Sequence, residues 1–355
     1  PNGEVWLKRG LTALEEASKT FILPDGGPAS RNPSDAIRAM QLLIIVRNAC
    51  VDTNSDLPPW VQITLDRIAP YIRAVRHEDG SLVQFGGASA DGGHGVEAIL
   101  AASDAKGKAT ENSAHAGIQR IQLANSCLIV DTGTPPAFLL SAEAHASTGA
   151  FEFSSSTDKI IVNVGTASKR GKIPQLAELS RTTAAHSTLV ISNRNSTRIL
   201  EDGRLGTGVT ETLTIREGLE DGSRIKLMHD GYTKRFGVKH ERSLSLTDGG
   251  AKLIGEDKLF GPKLKKLQGS EVIIRFHLHP NIEARVAPDG RITLETRAGK
   301  LWIFDTEDGK AEVEESLYVG HPLRPEPSKQ IAVTVPVEPN KTPICKWVLS
   351  EMDSA

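Results

Sequence analysis

Three short segments of the chain carry the residues best suited to chemistry. Glu143-Ala144-His145-Ala146-Ser147 precedes one apolar run, Ile161-Val162-Asn163-Val164-Gly165 closes a second, and Ala185-His186-Ser187-Thr188 opens a third. Histidine titrates near neutrality and ligates metals through either ring nitrogen. Strand-loop-strand connections bring His145, Asn163 and His186 together as two imidazoles and a side-chain oxygen, a zinc donor set in which the neutral amide is a poorer ligand than a carboxylate. The same placement also describes a hydrogen-bonded histidine pair fixing a loop, and spacing alone leaves both readings open. A second group, His229-Asp230-Gly231-Tyr232 with Arg235, His240 and Arg242, holds two histidines, a tyrosine and two arginines in a short span. Tyr232 offers a proton donor or acceptor and an arginine pairs with a carboxylate, although cross-strand pairing on a solvated sheet face uses the same residues. Arg31 and Arg181 carry the same two readings. His277 and His279 alternate with Phe276 and Leu278, so a strand points both imidazoles to one face. Glu143 and Glu152 would serve hydrolysis as paired carboxylates, but nothing in their spacing fixes their separation.

These residues need elements to position them. Leu11, Leu14 and Ala17 sit at helical spacing, as do Ile37, Met40, Leu43, Ile44 and Ala49, the second set following an N-cap expected at Ser34. Asp25-Gly26-Gly27-Pro28 is a turn between them, and a third helical pattern runs over residues 60–75 after Pro58 and Pro59. Beyond Asp79-Gly80 the texture changes to short runs rich in valine, isoleucine, leucine and threonine, at 127–130, 150–153, 159–164, 187–191, 272–278, 291–296, 301–304 and 331–335. Runs at this spacing indicate an antiparallel sheet system. Residues 86–95 are glycine-rich and read as a connector. Trp302 and Trp347 suit core positions. The fold class is therefore α+β: a helical segment over 1–78, then a large antiparallel β-sandwich over 79–355.

Composition bounds the function. Among 355 residues, 42 lysines and arginines face 44 aspartates and glutamates, a net charge of −2 that gives no general attraction for nucleic acid. Three scattered cysteines, Cys50, Cys127 and Cys345, make neither a disulfide framework nor a zinc ribbon. No apolar stretch is long enough for a membrane span. The chain opens at Pro1 without methionine or a signal-peptide pattern, which is read as a fragment of something longer.

The three chemistry-bearing segments resemble those of the heparinase II/III-like family of bacterial polysaccharide lyases. There, a histidine-glycine-histidine-x-aspartate segment precedes a strand, an aspartate-x-glycine ends the next, and an alanine-histidine-asparagine/serine-threonine segment follows. Pro24-Asp25-Gly26-Gly27 with Arg31-Asn32-Pro33 is similar to a segment between the family's toroid helices, and Arg275-Phe276-His277-Leu278-His279-Pro280 to one of its strands. The resemblance implies an (α/α) toroid whose end is the helical segment here, its upstream part missing, followed by the sandwich, with the substrate cleft between. It implies β-elimination on an acidic, uronate-containing polysaccharide, and a periplasmic location. Carried over, His145, Asn163 and His186 take the positions of a structural zinc site, with Asn163 in place of aspartate. Glu143 stands where the sheet domain's catalytic histidine would be, and no tyrosine lies near Arg31-Asn32-Pro33, Tyr71 being nearest. Glu143, Arg181, Tyr232 and Arg31 are then the catalytic candidates. The alternative implied by those departures is a carbohydrate-binding or polysaccharide-assembly protein that has lost its base.

Overall fold

The computed structural model describes residues 3–339 and 341–352; Pro1, on which the expectation of an upstream segment turned, lies outside them. Three helices open the chain: α1 (Gly3–Phe21), α2 (Pro33–Asp52) and α3 (Pro59–Ala74). The cap of α2 is Asn32 rather than Ser34. Its Oδ1 accepts from the Ser34 N–H at 3.0 Å, and Pro33 fills the first helical position. Ser34 owns one of the orphan N–H groups of the first turn, so it is capped rather than capping. Ile37, Met40, Leu43 and Ile44 of α2 pack against Val61, Leu65, Ile68 and Ile72 of α3 in one core. Helical structure continues past residue 78 to α4 (Val96–Ala102), and strands begin only at Asn112.

Among the described residues seventeen strands follow: β1 (Asn112–Ser113), β2 (Ile118–Leu123), β3 (Ser126–Asp131), β4 (Phe151–Ser155), β5 (Asp158–Val162), β6 (Leu189–Ile191), β7 (Thr212–Leu219), β8 (Gly222–His229), β9 (Lys239–Thr247), β10 (Lys252–Phe260), β11 (Val272–Leu278), β12 (Glu283–Val286), β13 (Ile292–Glu295), β14 (Leu301–Thr306), β15 (Lys310–His321), β16 (Arg324–Val335) and β17 (Ile344–Glu351). They form two antiparallel sheets. The first runs β1-β2-β3-β4-β5-β11-β16-β15, with β6 also paired to β11; the second runs β12-β13-β14-β17-β10-β9-β8-β7. A single apolar core joins them, from Phe151, Phe153 and Phe276 of the first sheet to Trp302, Phe304 and Trp347 of the second. Trp347 stacks on Phe151 at 5.7 Å between centroids and meets Phe276 edge-on at 4.7 Å. Each such ring contributes roughly 1.5–3 kcal/mol by burial. Gly255, opposite Trp347 on β10, has no substitute: a Cβ there would lie 2.0 Å from the indole.

A polar clamp fixes the helices to the first sheet. Arg31, in the left-handed region at φ 59°, donates from Nε to Ala116 O at 2.9 Å, from Nη1 to Thr134 O at 2.6 Å, and from Nη2 to Asp131. Asp25 Oδ2 accepts from the backbone N–H groups of His115 and Ala116 at 2.7 and 2.8 Å. Gly26 sits at φ 83° with the Arg67 carbonyl where a Cβ would be, so the turn read from composition is also a close helix contact.

Candidate functional site

A cleft of about 850 Å³ opens where the helices meet the first sheet. Its helical wall is the start of α2, with Asn32, Ser34, Arg38 and Gln41; its sheet wall comprises Glu143, His145, residues 166–170, Arg181 and the Asp202-Gly203 turn. The glycine-rich connector supplies the rim through Gly87, Ser89 and His94. Four permanent cations (Arg38, Lys169, Arg170 and Arg181) face the space against two carboxylates (Glu143 and Asp202). Two of these charges are compensated nearby, Arg38 by Asp35 and Asp202 by Arg204. Arg181 is not: among the described residues no carboxylate lies within ion-pairing distance of it. It is 8% exposed, and its Nε and Nη2 donate to the carbonyls of Ala144, Ser141 and Gly203. Burial lowers its pKa while Glu143 and Glu178 act against the shift. A guanidinium held by backbone dipoles, without a counter-ion, leaves a cationic wall that an anion from solution neutralises.

His145 and His186 meet behind this wall. His145 Nδ1 lies 3.1 Å from His186 Nε2, with the rings edge-on at 75°. His186 Nδ1 lies 2.7 Å from the Thr182 carbonyl, which only accepts, so that nitrogen carries the proton. The hydrogen-bond network then assigns His186 Nε2 as acceptor and His145 Nδ1–H as donor. The remaining nitrogen, His145 Nε2, keeps a lone pair on the cleft side, 3.4 Å from Thr166 Oγ1. Burial first, then the neighbouring His186 and Arg181, hold the His145 pKa well below the ordinary imidazole value. Burial lowers His186 to about 4. Both rings are neutral at pH 7.

Asn163 stands apart from this pair in its bonding. Its Oδ1 accepts from the Ser187 N–H at 2.9 Å, and its Nδ2 donates to Glu152 Oε1 at 3.0 Å. Glu152 in turn accepts from the Gln84 N–H at 2.8 Å and lies 3.0 Å from His77 Nε2. Burial alone would raise the Glu152 pKa, but His77, Lys159 and Asn163 outweigh it and the carboxyl is held below its usual value. These residues do not fit a zinc ion. The two nitrogens that would face the metal share a proton, the amide is committed on both sides, and among the described residues no further imidazole, thiolate or carboxylate completes a set.

Except for Glu143, the other expected residues lie away from the cleft. Glu143 is exposed on the cleft wall. Arg31 is consumed by the clamp, its guanidinium bonded to four groups, Ala116, Gly117, Asp131 and Thr134. Tyr232 is 1% exposed in the inter-sheet core and donates to the Leu189 carbonyl at 2.7 Å. Burial pushes its hydroxyl up, away from acid-base work at pH 7. Its neighbours His229, His240 and Arg242 close a buried network on Asp257. His277 is buried and His279 follows the end of β11 beside Tyr318, so the i, i+2 pair shares no open face. Glu152 is fully buried beneath the sheet wall, not paired with Glu143. Sequence reasoning passed over the connector and His94 as cleft residues; proximity to α2 arises only in three dimensions, and composition carries no trace of it.

Residues 105–348 match the family model described as "Heparinase II/III-like, C-terminal". The crystal structure of a heparan sulfate lyase HepC mutant from Pedobacter heparinus aligns with TM-score 0.79 and 13% identity, covering 100% of this chain and 57% of that one. A crystal structure of heparinase III gives 0.76 at 14% identity, over 100% and 59%. At such identities these likenesses establish the fold. FtsZ-localized protein C of Caulobacter vibrioides (strain NA1000 / CB15N) is 26% identical over 365 residues. The alignment takes in 99% of this chain and 62% of that relative, so the chain spans under two thirds of the curated protein it matches.

Proposed function

The chain belongs to the heparinase II/III-like, C-terminal family, and we propose that its cleft binds an acidic, uronate-containing polysaccharide and that the protein cleaves it by β-elimination. The observation that carries this reading is Arg181, a nearly buried cation on the cleft wall bonded only to carbonyls. It meets a sugar carboxylate and makes the neighbouring C5 proton more acidic by withdrawing its charge. His145 Nε2 takes that proton. The C5–H electrons form the C4–C5 double bond as the C4–oxygen bond breaks. The imidazolium so formed then protonates the leaving oxygen, which matters because Tyr71, Tyr232 and Tyr318, the chain's three tyrosines, are all buried outside the cleft lining. Relay of Nδ1–H through His186 to Thr182 keeps His145 in the tautomer that presents its lone pair. Full-length protein incubated with a panel of uronic-acid polysaccharides should raise ultraviolet absorbance from the unsaturated product. Measurable binding with no absorbance from any substrate would overturn cleavage.

That same outcome defines a second reading: polysaccharide binding without cleavage. The absence of any cleft tyrosine in this chain favours it, and the name of the curated relative, FtsZ-localized protein C, describes a location rather than a reaction.

A further inference from the structure

A second groove, of about 430 Å³, lies at the base of the hairpin that ends in the Asp202-Gly203 turn. Four cations line it: Arg194, Arg198, Lys234 and Arg235, all exposed. None of them forms an ion pair among the described residues. The adjacent carboxylate, Asp230, is already taken, accepting from the Thr210 N–H and hydroxyl and from the Glu211 N–H. Between the cations sit amide and hydroxyl groups. Asn195 Oδ1 accepts from the Thr183 N–H at 3.0 Å, which leaves its amide N–H groups for the groove.

The hairpin ties this groove to the cleft. Arg198 N–H donates to Thr207 O at 2.9 Å and Gly206 N–H to Arg198 O at 2.7 Å, so its base is fixed at the groove. Its tip, Gly203, accepts from Arg181 at 2.5 Å and lines the cleft. Asn195 holds Thr183, the residue after the Thr182 carbonyl that orients His186. The hairpin therefore runs from the cationic groove at its base to the cleft at its tip, where the Gly203 carbonyl accepts from Arg181.

We propose that this groove is a second subsite, binding the carboxylate or sulfate groups of the polysaccharide further along the chain than the residue in the cleft. The proposal rests on the polysaccharide reading of the cleft. Guanidinium forks suit planar or tetrahedral oxyanions, while the intervening amides and hydroxyls suit sugar hydroxyls. A net charge of −2 supplies no wider field for a nucleic acid, so the local groove acts on its own.

Calorimetric titration of a long and a disaccharide-sized uronate oligosaccharide into three full-length proteins tests this: unaltered, Arg181→Gln, and a groove variant carrying Arg194→Gln, Arg198→Gln, Lys234→Gln and Arg235→Gln. The groove variant should bind the long ligand at least about tenfold more weakly, with a shallower salt dependence, and the disaccharide unchanged. Unchanged binding of the long ligand by the groove variant, with a loss in Arg181→Gln, overturns the groove and leaves the cleft. Loss in the groove variant with none in Arg181→Gln supports the groove and overturns the cleft reading. A single-stranded DNA of equal charge bound as tightly as the oligosaccharide, and weakened equally by the groove substitutions, also overturns the assignment. The four side chains are exposed, so an unchanged thermal midpoint confirms that the variant folds.

Discussion

Among the described residues two buried histidine pairs are built almost alike, and they end differently. His145 and His186 touch at 3.1 Å with rings 75° apart; His229 and His240 touch at 3.1 Å with rings at 90°. The second pair is closed at both ends. His240 Nε2 lies 2.7 Å from Asp257, which also takes Arg242 and the Trp347 indole, and His229 Nδ1 accepts from the Gly231 N–H. Arg242 then reaches across to the carbonyls of Gly149 and Ser187, 2.8 Å each, and so joins the two sheets. The first pair is closed at one end only, by a neutral carbonyl, and its other end faces a cationic cleft. On the proposed reading, the pair that a carboxylate completes is structural, and the pair whose last lone pair is left to a cavity is the one that takes a proton from substrate.

The largest effect separating the pairs should come from Asp257→Asn. Burial works to raise the Asp257 pKa, but Arg242 and His240 outweigh it and hold the carboxyl well below its usual range. Its removal leaves a buried guanidinium uncompensated, an expected loss of about 3–5 kcal/mol in denaturant-derived stability. A loss under about 1 kcal/mol would show that the inter-sheet network is not what holds Arg242. His145→Gln should do the reverse, lowering elimination by roughly 10²–10⁴-fold with a stability change below about 2 kcal/mol. Equal losses of folding and rate would make the cleft pair as structural as its counterpart. Arg181→Gln should weaken oligosaccharide binding by roughly 10–100-fold, as expected for a lost charge-assisted contact.

Smaller still, taken per histidine, is the pH response. His186 is lowered by burial to about 4, and His145, His229 and His240 are lowered as well. Below an unfolded value near 6.5 the unfolded chain takes protons that the folded chain refuses. This stability is complete above pH 6.5 and lost as pH falls toward 4, by up to about 1.4 kcal/mol per pH unit for each histidine. Urea midpoints at pH 7.5 and 5.5 read the slope directly, and His186→Gln should flatten it by about one proton. A flat profile would mean that the pairs carry a proton in the folded state. Elemental analysis of protein purified without added metal should find no stoichiometric zinc; one zinc per chain would overturn the shared-proton arrangement.

Much of the fold was legible because it is written in local pattern. The apolar runs at 127–130, 272–278 and 331–335 fall on β3, β11 and β16, and Trp302 and Trp347 are buried as their surroundings suggested. Partners distant in sequence were not legible. Arg31 looks like a carboxylate binder, and it does bind one, but that carboxylate is Asp131, 100 residues away within the same chain. Tyr232, His240 and Arg242 share a span with the composition of a site, yet strand alternation on β9 turns His240 and Arg242 into the sandwich, and the turn after β8 buries Tyr232 there as well. The proximity of His145 and His186 was visible from connections between strands; which of their nitrogens holds the proton depends on one carbonyl, Thr182, that no spacing singles out.

Hydrogen exchange in the presence of an acidic oligosaccharide tests most directly whether the open pair, rather than the closed one, is where the polysaccharide acts. Ligand should slow exchange at 142–146, 166–170, 180–183 and 202–203, while amides at 239–242 around the Asp257 network stay unchanged. Saturating ligand that protects none of the cleft segments, or protects 239–242 in their place, would contradict a polysaccharide site at Arg181 and His145.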